Sequence, residues 1–134
     1  MNVGKTLFSQ LMDFVPWPSF ARIVQRYRGN AGVRTLSCAE QFRAMAFAQI
    51  TWRDSLRDIE TSLAAHPSKL YAMGFRSPVK RSTLADANES RDWRNWADVA
   101  AVLIRRARKL YAHEPLAVEL SNTVYALDAT TIDL

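Results

Sequence analysis

The chain has 134 residues, of which 49% are hydrophobic, and this length and composition favour one folded domain over a disordered chain. Eighteen Lys and Arg against thirteen Asp and Glu give a net charge of +5, which is compatible with a phosphate-rich partner without requiring one. The single cysteine, Cys38, excludes an internal disulfide and an all-cysteine zinc site, and the lack of any run of ~18 apolar residues predicts a cytoplasmic protein without a membrane partner.

Helical patterns occupy the first fifty residues. The segment 5–15 predicts a helix with two adjacent apolar ridges: Leu7, Leu11 and Phe14, then Phe8, Met12 and Val15. Pro16 and Pro18 end this helix and begin a second one, which stops at Gly29. Ser37 and Glu40 form a capping-box pattern that opens a third helix to about Thr51, with Cys38 as a buried small hydrophobe on its apolar side.

Shorter elements follow before a basic connector. Ser55 with Asp58 predicts a short fourth helix, and one or two further turns lie between Pro67 and Gly74. The connector 76–81 is basic, and Thr83 with Asp86 repeats the capping pattern at the start of the next helix. We expect these pieces to form a helix-turn-helix-like unit.

The longest predicted helix spans about 92–112. Its expected buried stripe is Trp93, Trp96, Ala100, Leu103, Ala107 and Leu110. On or near the opposite side fall Arg91, Arg94, Arg105 and Arg108. Such a basic face is also ordinary for a solvated surface helix, because Asp92 and Asp98 are interspersed with the arginines.

The last twenty residues predict a different kind of structure. The β-branched and apolar run 123–127 is typical of a buried strand, and Asp128 follows it directly. A lone strand leaves its hydrogen-bonding groups unpaired, so we expect its partner strands further along a longer parent sequence. The predicted fold is therefore mainly α, a helical bundle that ends in one orphan β-strand.

Candidate DNA contacts cluster around the connector and the helix after it. A helix N-terminus attracts phosphate, and nearby cations and hydroxyls would add charge and hydrogen bonds. The candidates for this role are Arg76, Lys80, Arg81, Ser82, Thr83, Arg91 and Arg94. Asn88 has the side chain that reads adenine in a major groove. Exposed polar residues and a helix cap with no partner are the competing interpretation.

Asp128 is the candidate metal ligand, because a carboxylate at the end of a strand is where metal-dependent nucleases often hold Mg²⁺. Two-metal phosphoryl transfer needs several converging carboxylates, so one Asp does not suffice. Asp133 would not point to the same place in a continuing strand. Neither His66 nor His113 has a second ligand at metal spacing, and Asp128 as a simple turn cap stays open.

Several blocks, in order, resemble the N-terminal part of transposases with an Asp-Asp-Glu catalytic triad, in the broad insertion-sequence-four group. The blocks are Gly4–Phe8, Leu11–Phe14, Gln41–Gln49, Ser55–Glu60, Arg81–Glu89 and Tyr125–Leu134. The resemblance implies a helical DNA-binding domain over 1–114 and the start of a truncated ribonuclease-H-like catalytic domain over 115–134. It also implies double-stranded DNA, at the ends of a mobile element, as the partner.

The same resemblance aligns Asp128 with the first catalytic carboxylate, which in the full-length family takes part in Mg²⁺ binding. Ala129 stands where the family commonly has Ser or Thr, and the second Asp and the Glu are absent from the chain. We therefore expect no stable Mg²⁺ binding and no catalysis by this polypeptide. The alternatives are a helical protein-interaction module, a homodimer or transposase subunit among them, and an inactive transposase remnant.

Overall fold

A computed structural model describes residues 5–114, and 63% of these residues are helical. The helices are α1 (Leu7–Met12), α2 (Trp17–Arg26), α3 (Cys38–Ile50), α4 (Leu56–Ala64), α5 (Pro67–Leu70), α6 (Arg81–Ser90) and α7 (Arg94–Leu110). No strand occurs in this part of the chain, which confirms the mainly α class. The predicted strand 123–127 and Asp128 lie outside the described residues.

Side-chain caps fix the start of three helices, as the sequence predicts for two of them. Ser37 Oγ accepts from the Glu40 N–H at 3.2 Å, and the Glu40 carboxylate accepts from the Ser37 N–H at 2.9 Å, which completes the capping box. Ser55 Oγ accepts from the Asp58 N–H at the start of α4. Thr6 caps α1 in the same way, through the Ser9 N–H.

The predicted cap at Thr83 is wrong. The residue before α6 is Lys80, whose carbonyl already accepts from the Leu84 N–H at 3.0 Å, so Thr83 lies inside the helix. Burial of Leu84 and Ala87 in the core, where α6 packs against α4, explains the earlier start. The chain between α4 and α6, residues 65–80, is far longer than the 3–4-residue turn of a helix-turn-helix, and that motif is not confirmed.

Two hydrophobic cores meet at α3. The larger core joins α1 and α3–α6, with Phe8, Ala44, Leu63, Phe75 and Leu84 among its buried side chains. The smaller core joins α2, α3 and α7 through Phe20, Ile23, Val24, Cys38 and Val99. Because Ala44 and Cys38 both belong to α3, this helix connects the two halves of the described chain.

Aromatic rings fill the junction between these cores. The rings of Trp17, Phe20 and Phe42 meet edge to face, with centroids 5.3–6.0 Å apart. The guanidinium of Arg43 lies 4.1 Å from the centroid of the Trp17 ring, within cation–π range. This arrangement ties the start of α2 to the middle of α3.

Gly74 is expected to be the less replaceable of two glycines with positive φ. It has a φ of +90°, and an added Cβ would lie 2.6 Å from Nε of Arg43, the residue stacked on Trp17. Gly32 has a φ of +72° but no atom within 4 Å of an added Cβ. We predict that Gly74→Ala lowers the free energy of unfolding by about 2 kcal/mol and Gly32→Ala by about 1 kcal/mol. Urea unfolding measures both, and equal losses would contradict the role of the Arg43 contact.

Two predicted apolar faces are exposed instead of buried. In α1, the ridge with Phe8 and Met12 is buried, whereas Leu7 is 73% exposed. In the predicted buried stripe of the last helix, Trp93 is 71% and Leu110 72% exposed, and Ala100 and Ala107 are exposed as well, so their placement there is wrong. Trp93 precedes α7 as its N-cap, and Leu110 lies beyond Arg105, the last residue of α7 that lines the cleft with α2.

Candidate nucleic-acid interface

A groove separates the loop after α2 from α6. One section is lined by Arg28, Arg34, Thr83, Asp86 and Arg91, among others. The adjoining section runs between Thr35–Leu36 and the connector 77–80, and both sections share Thr83. We call the two sections together the α6 groove. The predicted basic connector and the start of α6 therefore do lie on one surface, opposite a loop.

The loop 28–36 is anchored by short, tightly packed residues. Gly29 donates its N–H to the Val24 carbonyl at 2.9 Å, and a Cβ on it would lie 2.8 Å from Sγ of Cys38. Asn30 Oδ1 accepts from the Cys38 N–H at 2.8 Å, which joins the loop to the first turn of α3. Because its base is fixed, the loop holds Arg28 and Arg34 at the edge of the groove.

Arg28 occupies a backbone conformation that favours glycine. Its φ is +53°, and it lies between the last residues of α2 and the Gly29 N–H that closes the helix end. This is the left-handed position after a helix, where glycine avoids the penalty that a Cβ brings. Arg28 is exposed, and its positive φ is less favourable for arginine than it would be for glycine. The sequence analysis did not name Arg28 or Arg34 as candidate contacts. Both are cations close to Gly29 and Gly32, where a loop was predicted, and that position was a signal that could have identified them.

Four exposed cationic side chains in or next to the groove form no salt bridge within residues 5–114. We call them the groove cations: Arg28, Arg34 and Lys80, which line the groove, and Arg81, which follows Lys80 in the chain. Of the carboxylates that line the groove, Asp92 is bound by Arg94, which leaves Asp86 facing the cations. The groove is therefore net positive.

Arg76, a predicted DNA contact, lies against a buried carboxylate. Glu40 is 2% exposed, and its Oε1 accepts from the Arg76 N–H at 2.9 Å. Its Oε2 accepts from the Ser37 N–H and from Ser37 Oγ, and lies 3.6 Å from Nη2 of Arg76. Burial alone would raise the pKa of Glu40, but these donors and the Arg76 charge together hold that pKa below its ordinary value. Part of the Arg76 charge is thus balanced inside the protein.

Arg91 and Asn88, also predicted to contact DNA, form hydrogen bonds to α3 and to Leu36, two residues before that helix. Arg91 donates from Nη1 to Gln41 Oε1 at 2.5 Å and from Nη2 to the Leu36 carbonyl. Gln41 is 2% exposed and donates to Asn88 Oδ1 at 2.6 Å. The polar groups of both residues are therefore engaged within the fold, and their contact with DNA stays a prediction.

Arg94 is bound to a neighbouring carboxylate. It meets both oxygens of Asp92 at 2.6–3.1 Å, and its guanidinium lies 5.0 Å from the Tyr27 ring centroid. These hydrogen bonds lower the pKa of Asp92 and raise that of Arg94, so both groups stay charged and balance one another. Ser82 is exposed on the first turn of α6, and Thr83 lies half-buried in the groove wall.

Cys38 is expected to be inert in the folded protein. Its thiol is fully buried, and burial raises its pKa against the opposing effect of Arg91, so the reactive thiolate is scarce. We predict that iodoacetamide at about pH 8 labels Cys38 only in the denatured protein. Mass spectrometry measures the labelled fraction, and native labelling at the rate of a free thiol would contradict the packing of α3 against Gly29.

The sequence predicts one candidate metal ligand, Asp128, and no membrane span. Within residues 5–114 no three His, Cys, Asp or Glu side chains come together to hold a metal ion, and Asp128 lies outside that range. None of the helices described there is long and apolar enough to cross a membrane.

The family described as domain of unknown function (DUF4372) matches residues 3–76, more than half of the chain. The chain belongs to this family. The DUF4372 match covers α1–α5 and includes the loop with Arg28 and Arg34, whereas α6 and α7 follow it. No curated protein and no solved structure matches the chain.

Proposed function

We propose that this DUF4372 protein binds the phosphate backbone of duplex DNA through the α6 groove. The observation that supports this most is that the groove cations have no carboxylate partner within residues 5–114, and that three of them line the groove. Each cation that neutralises a phosphate releases a condensed counterion, which makes such binding favourable at low salt. Ser82 and the first N–H groups of α6 lie beside Lys80 and Arg81 and supply hydrogen-bond donors to phosphate oxygens.

The biological setting follows from the resemblance and the family. DUF4372 domains are associated with the N-termini of transposases, and the blocks of the sequence resemble insertion-sequence-four-like enzymes. The duplex would then be the end of a mobile element, and binding would hold it for a catalytic domain. In this proposal Asp128 contributes the first Mg²⁺-binding carboxylate only together with the rest of that catalytic core.

Arg28→Gly separates binding from folding. Glycine fits a φ of +53° without strain, so we expect the free energy of unfolding to stay equal or to rise by up to about 1 kcal/mol. The lost charge should nevertheless weaken binding to any duplex by about threefold to tenfold at 100 mM salt. Fluorescence anisotropy with a labelled 30-base-pair duplex measures the affinity.

The matched control is Arg57→Ala, which removes one exposed cation from α4, away from the groove. We expect its affinity to stay within twofold of the unmodified chain. If Arg28→Gly binds as tightly as the control, the α6 groove is not the interface. A variant that is more stable and yet binds less cannot be explained by misfolding.

A second candidate function, self-association, is favoured by the exposed ridge of α1. Leu7 in α1 is 73% exposed, and Phe14, two residues after the last residue of that helix, is 68% exposed. Exposed apolar side chains at helical spacing can form a dimer seam. Sedimentation at tens of micromolar protein decides the question, because a strict monomer would remove this candidate.

A further inference from the structure

We propose that α2 and α7 carry a second surface for the DNA backbone, so that the protein contacts a longer stretch of duplex than the α6 groove covers. This inference rests on the proposed function. Its residues, which we call the α2–α7 stripe, are Arg22, Arg26, Arg105, Arg108 and Lys109. All five side chains are exposed, and none of them lines the α6 groove.

The stripe forms because two helices present cations to one cleft. Ser19, Arg22 and Arg26 line the cleft from α2, and Asp98, Ala101 and Arg105 line it from α7. On a helix, Arg108 and Lys109 follow Arg105 at the spacing of three and four residues, so they continue the same edge. The helix rises 1.5 Å per residue, so Asp98 to Lys109 spans about 16 Å, the length of roughly five base pairs.

One carboxylate interrupts the stripe, and it is already bound. Asp98 Oδ2 accepts from Nη1 of Arg26 at 3.0 Å and from the Tyr27 hydroxyl at 2.9 Å. Arg22, Arg105, Arg108 and Lys109 form no salt bridge in the described part of the chain. The stripe is therefore net positive, and its unpaired charge lies on Arg22, Arg105, Arg108 and Lys109.

The stripe and the α6 groove adjoin each other at the end of α2. Arg26 lines the cleft with α7, and the next residues, Tyr27 and Arg28, line the groove. A regularly charged polymer such as duplex DNA is the partner that we infer to reach both surfaces. An acidic peptide fits less well, because the cleft has only three apolar lining residues to hold one, Ile23, Ala101 and Val102, and Ile23 is buried.

The test compares two triple variants that lose the same net charge. We expect Arg22→Ala/Arg105→Ala/Arg108→Ala to weaken binding to a 30-base-pair duplex by about tenfold or more at 100 mM salt, and to reduce the salt slope by about two to three. The control Arg53→Ala/Arg57→Ala/Lys69→Ala changes exposed cations that line neither surface, and should lose less than threefold. Arg22→Lys/Arg105→Lys/Arg108→Lys keeps the three charges and should retain most of the affinity of the unmodified chain.

A second variant is expected to bind the duplex more tightly instead of more weakly. Asp98→Asn keeps an acceptor for Arg26 and Tyr27 but removes the negative charge, and should tighten binding about twofold to fivefold. Equal losses in the two triple variants would overturn the stripe while the groove stands. Binding of polyglutamate as tight as that of the duplex would overturn duplex DNA as the partner of both surfaces. If the unmodified chain binds no duplex, both proposals fail. If Arg28→Gly weakens binding and the stripe variants do not, only the stripe fails.

Discussion

Replacing Glu40 by alanine is expected to lower the free energy of unfolding by about 3 kcal/mol. The carboxylate is 2% exposed and accepts from two backbone N–H groups, those of Ser37 and Arg76, and from Ser37 Oγ. Alanine leaves these donors without a partner and disconnects the start of α3 from the connector before α6. Chemical denaturation monitored by circular dichroism at pH 7 measures the loss.

The pH dependence of the same site follows from the direction of its pKa shift. The folded-state pKa of Glu40 lies below its unfolded value, so its charge contributes stability that is fully present above the unfolded pKa and is lost as pH falls through the folded pKa. Glu40→Gln keeps a capping side chain without that charge. The stability gap between the unmodified protein and Glu40→Gln should be constant from about pH 7 to 5 and shrink below about pH 4.5. A gap that widened on acidification would contradict the assignment.

Arg91→Ala is expected to destabilise the fold by about 2–3 kcal/mol, and to affect DNA affinity much less. Without the guanidinium, the Leu36 carbonyl and the buried Gln41 amide lose a donor, and the junction of α6 and α7 loses its bond to α3. Thermal unfolding measures the first effect. Anisotropy well below the melting temperature measures the second, where we expect a loss of no more than about threefold.

Arg91→Lys is the matched control, because it retains the positive charge. Its compact ammonium group cannot reproduce the planar guanidinium that donates to two acceptors at once. We expect it to recover only about half of the lost stability and nearly all of the affinity. If Arg91→Ala leaves stability unchanged and abolishes DNA binding, Arg91 is a contact residue and the internal role described above is wrong.

Local patterns in the sequence predicted most helix positions. Capping signals at Ser37 and Ser55 fixed the starts of α3 and α4, because these hydrogen bonds form between residues three apart. Pro16 and Pro18 likewise placed the boundary between α1 and α2. The buried Cys38 followed from helical periodicity on the apolar side of α3. Each of these features depends on residues close together in the chain.

Features that depend on distant residues were harder to predict. Periodicity identifies an apolar side but not where a helix begins or how far its partner extends. Trp93 was therefore placed in the buried face although it precedes α7, and Leu110 although it lies beyond the cleft with α2. Periodicity likewise identified two apolar ridges in α1 but not which of them meets the core, and only the ridge with Phe8 is buried. Thr83 and Asp86 match a cap pattern locally, but tertiary packing of Leu84 starts the helix earlier.

The candidate site was predicted only in part for a related reason. Charge counts along the chain do not show which cations already have a partner, and Arg76, Arg91 and Arg94 all have one in the fold. Lys80 and Arg81 do not, within residues 5–114. Arg28 and Arg34 reach the groove through the fold, from a loop about fifty residues earlier in the chain.

The salt dependence of duplex binding by the unmodified chain tests the central claim most directly. Contacts by the four groove cations predict that the logarithm of the association constant falls against the logarithm of salt concentration with a slope of about −3.5, or steeper if the α2–α7 stripe also engages. Anisotropy between about 50 and 200 mM salt gives that slope. No binding at the lowest salt, or an affinity that does not change with salt, would contradict a backbone contact made by these cations.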